Sequence, residues 1–202
     1  VLFIGKSVSE RTPQPELEPL TRTQVLVAMG VTAALLLVAA KLWQYLGNIQ
    51  LLPLTLSWEG IWLGVGLGSI ITLASALVYQ IWPAYRRSAA TYLQFILKPL
   101  TWSDLIWLGL LPGLSEELLF RGVMVPAFGL DAVAVVVSSL CFGILHLLGR
   151  EQWPYTVWAT AVGLLLGGSA LVTGNLLVPI VAHITTNSVS SILWKRSQSQ
   201  QS

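Results

Sequence analysis

From Gln24 to about Leu46 the chain carries a single charged residue, Lys41. About twenty such residues wound as a helix cross the ~30 Å hydrocarbon layer of a bilayer, and a helix is the form that satisfies their backbone polar groups there. The same reading predicts further spans at Gly60 to about Trp82, Leu114 to about Phe128, Asp131 to Leu148, about Trp153 to Val172, and Leu176 to Trp194. Between the second and third lies a polar loop with Arg86, Arg87 and Lys98, then a short helix from Ser103 to Leu111. Ser103 and Asp104 suit its N-cap and Pro112-Gly113 its end, so it is expected to lie in the membrane interface. The expected fold class is thus all-α: a polytopic membrane bundle of about six transmembrane helices plus a short interfacial helix. Composition agrees, since only 10% of the 202 residues are Asp, Glu, Lys or Arg, against about 25% in soluble domains.

Four segments organise the chain: a polar, proline-bearing tail at 1–23, two membrane helices and an inner loop at 24–100, a core at 101–195, and a polar tail at 196–202. No basic stretch followed by a short apolar core and a small-residue cleavage site is visible, so no signal peptide is expected. With the N-terminus inside, nine of the eleven Lys and Arg residues fall in inner segments and none in the short outer loops. Short cytoplasmic loops collect such residues, so both termini are expected on the cytoplasmic or stromal side. A bacterial inner membrane or a thylakoid-type membrane fits that reading. A net charge of +2 without a basic cluster excludes a nucleic-acid partner, and the lone Cys141 excludes a disulfide framework or a cysteine-rich metal site.

Ionisable groups within a bilayer are costly and mark function by default. Span three carries Glu116, Glu117 and Arg121, and both histidines of the chain, His146 and His183, fall in spans four and six. Arg121 lies one helical turn after Glu117 and can pair with it, whereas Glu116 is turned ~100° away and left free. Phe142 precedes His146 by four residues, as His183 precedes Asn187, so each helix offers a one-sided polar or aromatic face. Three such faces are expected to meet in one inward-opening cavity, with Glu116 only ~5 Å into its span.

The ordered motifs Glu116-Glu117-x-x-x-Arg121, Phe142-x-x-x-His146 and His183-x-x-x-Asn187 resemble those of the CAAX-processing type II (CPBP, or ABI) intramembrane proteases, over roughly Thr101 to Lys195. The resemblance implies that Glu116 and His146 activate water, that His183 and Asn187 stabilise the oxyanion, and that Glu117, Arg121 and Phe142 support them. It implies a peptide bond of a membrane-associated protein as substrate, the lipid bilayer as surroundings, and room for a membrane-complex partner. A divalent metal such as zinc is left open, with Glu116, His146 and His183 as candidate ligands, although the HExxH pattern is absent. The alternative is a catalytically idle scaffold or immunity-type protein that keeps the same fold. Blander readings stand beside these: Glu117 with Arg121 as a structural ion pair, Gly163, Gly167 and Gly168 as packing, and Asn175 as a turn residue.

Overall fold

The structure, a computed structural model, describes residues 20–199. The expected tail at 1–23 therefore lies almost wholly outside the described residues. All regular structure among them is helical: α1 (Arg22–Gly47), α2 (Trp58–Ile81), α3 (Pro83–Leu97), α4 (Leu105–Glu117), a π-helical turn (Leu118–Met124), α5 (Val125–Ala127), α6 (Ala132–Ile144), α7 (Trp153–Thr173) and α8 (Leu177–Ser199). Four helices are long and apolar enough to cross a membrane: α1, α2, α8, and α7 with the turn before it, Arg150–Thr173. Large apolar side chains such as Leu35, Leu46, Trp62, Leu73 and Val172 face outward on these helices, as a lipid solvent requires and water would not permit. The chain is a multi-pass membrane protein.

Three expectations need correcting. Pro112 and Gly113 do not end a helix: Pro112 lies inside α4, which runs on through the π-helical turn into α5 as one rod. There is accordingly no separate interfacial helix at Ser103–Leu111. Proline interrupts a helix because it lacks an N–H and leaves the carbonyl four residues earlier without a donor. Here that carbonyl, Leu108 O, accepts from Asn187 Nδ2 at 3.4 Å, so another helix repairs the defect. Pro126 is handled likewise, with Gly122 O accepting from the Leu52 N–H at 3.1 Å. Second, the expected polar loop around Arg86 and Arg87 is helix α3. Its face of Tyr85, Ser88 and Ala89 is buried while both arginines are exposed, the pattern of a helix lying along a surface. Span four is also shorter than expected. α6 stops at Ile144, and His146 and Leu147 follow in tight turns, their N–H groups bonding Gly143 O and Ile144 O.

Helix α8 is central and is gripped by glycines from two sides. A Cβ on Gly64 would stand 2.6 Å from Val181 Cβ, and one on Gly68 2.5 Å from the Ala182 carbonyl oxygen, so α2 runs backbone to backbone with α8. On the other side, Gly113 of α4 admits Ile184, whose Cγ1 would lie 2.5 Å from an added Cβ. Such small-residue seams replace the hydrophobic drive that is missing between helices in lipid.

The helix ends pair consistently. At one end Arg22 donates to Asp104 through two bonds of 2.7 Å, Ser88 Oγ to Gln152 Oε1 at 2.7 Å, and Lys195 Nζ to Leu100 O. Arg22 first, and the Thr101 N–H after it, hold the Asp104 carboxyl below the ordinary carboxylate range. At the other end Asn175 is more than a turn residue: Oδ1 accepts from Thr55 and Leu177, and Nδ2 donates to Thr55 O. Arg86, Arg87, Lys98, Arg150 and Arg196 belong with the first end. Replacing Gly68 by Val should cost about 1 to 3 kcal/mol by overpacking against the α8 backbone. Thermal unfolding in detergent will show a clear fall in midpoint for Gly68→Val and little change for Gly66→Val, because a Cβ on Gly66 meets nothing within 4 Å.

Candidate functional site

Every polar group that the sequence singles out in the core lies on α4, on the π-helical turn, just beyond α6, or on α8. Glu117 and Arg121 are fully buried, and Arg121 Nη1 donates to Glu117 Oε1 at 2.8 Å. Arg121 Nη2 donates to Gly163 O at 2.9 Å, where glycine leaves room: a Cβ there would stand 3.3 Å from this nitrogen. The guanidinium also lies 4.5 Å from the Phe142 ring centre, a cation–π contact in an apolar setting. Phe142 thus supports the ion pair as well as the histidines.

The π-helical turn Leu118–Met124 carries Arg121 in its middle. Its wider winding bonds Val125 N–H to Phe120 O, five residues back, and the same carbonyl accepts Ser138 Oγ at 2.9 Å. Single π turns of this kind concentrate at functional sites. Nothing in the local sequence announces this one.

His183 reaches in from α8 and holds the two carboxylates from either edge of its ring. Nδ1–H donates to Glu117 Oε1 at 2.7 Å, and Nε2 stands 3.9 Å from Glu116 Oε2. One oxygen of Glu117 therefore serves both Arg121 and His183. Of the two histidines it is His183 that comes within 4 Å of Glu116. His146 turns Nδ1–H to Phe142 O at 2.9 Å, which leaves Nε2 for the cavity. Asn187 is fixed by its bond to Leu108 O. Counted along the rod from Leu105, Glu116 sits about 17 Å from the end where α4 begins, at 1.5 Å per residue. It lies deeper than the ~5 Å expected, because the helix does not start at Pro112-Gly113.

Glu116, Phe142, His146, His183 and Asn187 line one cavity of about 480 Å³ between α2, α3, α4, α7 and α8. Glu117 and Arg121 stand behind its wall. Glu116 Oε2, Glu117 Oε2 and Arg121 Nε are buried without a hydrogen-bond partner. Ser115 is no nucleophile in waiting, since its buried hydroxyl donates to Leu111 O at 2.7 Å. Among the described residues no three His, Cys, Asp or Glu side chains are grouped to hold a metal ion. His146 and His183 each commit Nδ1, to Phe142 O and Glu117 Oε1, which leaves the Nε2 edge of each ring uncommitted.

Sequence reasoning missed the aromatic wall. Tyr85 and Tyr92 of α3 and Tyr155 and Trp158 of α7 line the same cavity. Tyr92 and Tyr155 stack at 4.3 Å, and both approach His146, at 6.3 and 6.1 Å between ring centres. Burial, and after it the Glu116 charge, push the Tyr92 phenol up from its ordinary value, so it stays protonated. The signal was available: Tyr85, Ala89 and Tyr92 recur at helical spacing opposite Arg86 and Arg87.

The fold and site define a helical membrane protein with a buried carboxylate–histidine–guanidinium cluster at the wall of a largely apolar cavity. Residues 98–189 match the family of type II CAAX prenyl endopeptidases, Rce1-like, and over that segment the chain is similar to its members. The chain is also 33% identical over 129 residues to the uncharacterized protein YpbD of Bacillus subtilis (strain 168), a match covering 64% of this chain and 66% of that protein. No solved structure matches the chain.

Two outcomes follow from this geometry. Glu117→Gln leaves Arg121 buried without its counter-charge, which should cost about 3 to 5 kcal/mol. The variant is expected to unfold at markedly lower temperature in detergent than either the parent or Glu116→Gln. Pro112→Ala restores an N–H that competes with Asn187 for Leu108 O. Its thermal midpoint should hold or rise while Asn187 becomes free to turn, a change visible as altered side-chain amide signals by NMR.

Proposed function

We propose that the chain is an intramembrane endopeptidase, hydrolysing a peptide bond of a membrane-associated protein with water activated by Glu116 and His146. The observation that carries this reading is the condition of Glu116: Oε2 is buried without a partner, 3.9 Å from His183 Nε2, at the wall of the cavity. A buried polar oxygen without a partner is costly unless a water or a substrate group meets it.

In this reading a water held between Glu116 and His146 gives a proton to Glu116 as its oxygen adds to the carbonyl carbon. The carbonyl electron pair moves onto oxygen, where His183 Nε2–H and the second N–H of the Asn187 amide receive it. Donors aimed at that oxyanion are typically worth about 2.7 to 4 kcal/mol each. Collapse of the intermediate breaks the C–N bond, and Glu116 returns its proton to the departing amine. A proton on both nitrogens lets His183 serve Glu117 and the oxyanion together.

The membrane arrangement proposed with it has six crossings. The rod from Leu105 to Ala127 is about 34 Å long at 1.5 Å per residue, enough to cross, and α6 with the turn after it forms a shorter one. Both termini and the basic end then face the cytoplasm or stroma of a bacterial inner or thylakoid-type membrane. The substrate segment enters from that side, where α3 lies along the surface.

The test compares new protein termini in membranes of cells that express the parent, Glu116→Gln or His146→Ala in place of their own copy. Glu116→Gln keeps volume and packing but cannot take the water proton. A set of termini is expected in the parent that falls by about 100-fold or more in both variants, at unchanged protein level and thermal midpoint. Identical termini in all three strains, with full function of the variants, leave the idle-scaffold reading standing instead.

A further inference from the structure

Helix α3 lies outside residues 98–189, the segment matched by the family, yet it supplies part of the wall against which His146 rests. His146 is the one polar residue of the site that no helix holds, because α6 ends two residues before it. Its ring has a single hydrogen bond, to Phe142 O, and is otherwise confined by aromatic neighbours: Phe142 at 4.8 Å, Tyr155 at 6.1 Å and Tyr92 at 6.3 Å between centres. Phe142 and Tyr155 belong to α6 and α7, which pack through Gly143, Gly163 and Gly167. Tyr92 alone comes from α3.

The attachments of α3 to α7 are few and local. Ser88 Oγ donates to Gln152 Oε1, Trp82 meets Trp153 edge-on at 5.9 Å, and Tyr85 and Tyr92 lie on opposite sides of Tyr155 at 6.2 and 4.3 Å. Leu93, Ile96 and Leu97 anchor the far end of α3 in an apolar cluster with Val25, Leu100 and Leu105. The part that carries Tyr85 to Tyr92 is therefore the weakly held one, joined to α7 by one side-chain hydrogen bond and ring contacts where the bundle behind it is seamed by glycines.

We infer that Tyr92 is a positioning residue for His146, so that the site is complete only while α3 is docked on α7. The inference rests on the endopeptidase reading only for its consequence in activity; the placement of His146 can be measured without it. The Tyr92 ring does this work, by filling the side of His146 that the α6–α7 pair leaves open. A phenylalanine there keeps the contact, and a leucine removes its aromatic face and much of its reach.

The chain has two histidines, which makes their reactivity easy to separate. Modification of the intact protein in detergent by diethyl pyrocarbonate, followed at each histidine by mass spectrometry, should proceed at least about threefold faster at His146 in Tyr92→Leu than in the parent. Tyr92→Phe should match the parent, and the rate at buried His183 should stay unchanged throughout. Ser88→Ala, a milder loosening of α3, should shift the His146 rate in the same direction; it supplies the test if Tyr92→Leu does not fold. Unchanged His146 reactivity in both Tyr92→Leu and Ser88→Ala, or equal acceleration at His183, overturns the inference.

Where a cleaved bond is known from the comparison of termini, a peptide spanning it gives a second readout. Tyr92→Leu should lower kcat about tenfold or more with little change in KM, and add nothing in a His146→Ala background. Multiplying losses, or a KM effect shared by Tyr92→Phe, would overturn the positioning role. Loss of the cleavage itself in the parent speaks to the endopeptidase reading, while the histidine-modification rates still decide the role of Tyr92.

Discussion

Glu117 Oε1 accepts from Arg121 at 2.8 Å and from His183 at 2.7 Å, with the carboxylate and the guanidinium both wholly buried. The remaining polar groups of the site are placed relative to this junction. A buried ion pair is seldom worth much in stability, since desolvation cancels most of its attraction. What it fixes is geometry. Among the apolar surfaces of a lipid-embedded bundle, many rotations of one helix about another are nearly equal in energy. A carboxylate that must accept hydrogen bonds from its own helix and from α8 rejects nearly all of those rotations. It fixes the rotation of α4 and of α8 together, and with them the direction of Glu116 and Asn187.

That junction can form only if three backbones come unusually close, and the sequence arranges this by omission of side chains and of N–H groups. Gly64 and Gly68 bring α2 onto α8, and Gly113 brings α4 onto its other side. Gly163 exposes a carbonyl to Arg121. Pro112 contributes by lacking a donor: the free Leu108 carbonyl becomes the anchor of Asn187. In water such a defect would simply be solvated. In hydrocarbon it must be repaired by another helix, and the repair ties α4 to α8 beside the cavity.

The four longest apolar stretches and the ion pair of Glu117 with Arg121 were legible in the sequence because each rests on a local rule: run length for the spans, and one helical turn between Glu117 and Arg121. The convergence of Glu116, His146, His183 and Asn187 on one cavity was legible too, from the cost of leaving them in lipid. Pro112-Gly113 misled, because a proline is read as a helix end on the assumption that its orphaned carbonyl finds no partner, and the partner lies 79 residues away on α8. The π turn was invisible for a similar reason, its carbonyl being satisfied by Ser138 from α6. Tyr92 was missed because charge and proline near Arg86 and Arg87 suggested a loop, whereas the helical recurrence of Tyr85, Ala89 and Tyr92 carried the information.

The motif residues all lie between Glu116 and Asn187, but their placement draws on segments before residue 98 as well. Leu52, between α1 and α2, completes the hydrogen bonding of the rod at Gly122; α2 sets the depth of α8; α3 closes the wall beside His146. All three precede residue 98. A chain that kept Glu116, Glu117, Arg121, His146, His183 and Asn187 but lost these supports would keep the chemistry of its side chains without their alignment. An alignment error of about 1 Å can cost 100-fold in rate. α2 and α3 thus contribute much of the cavity wall while bearing none of the motif residues.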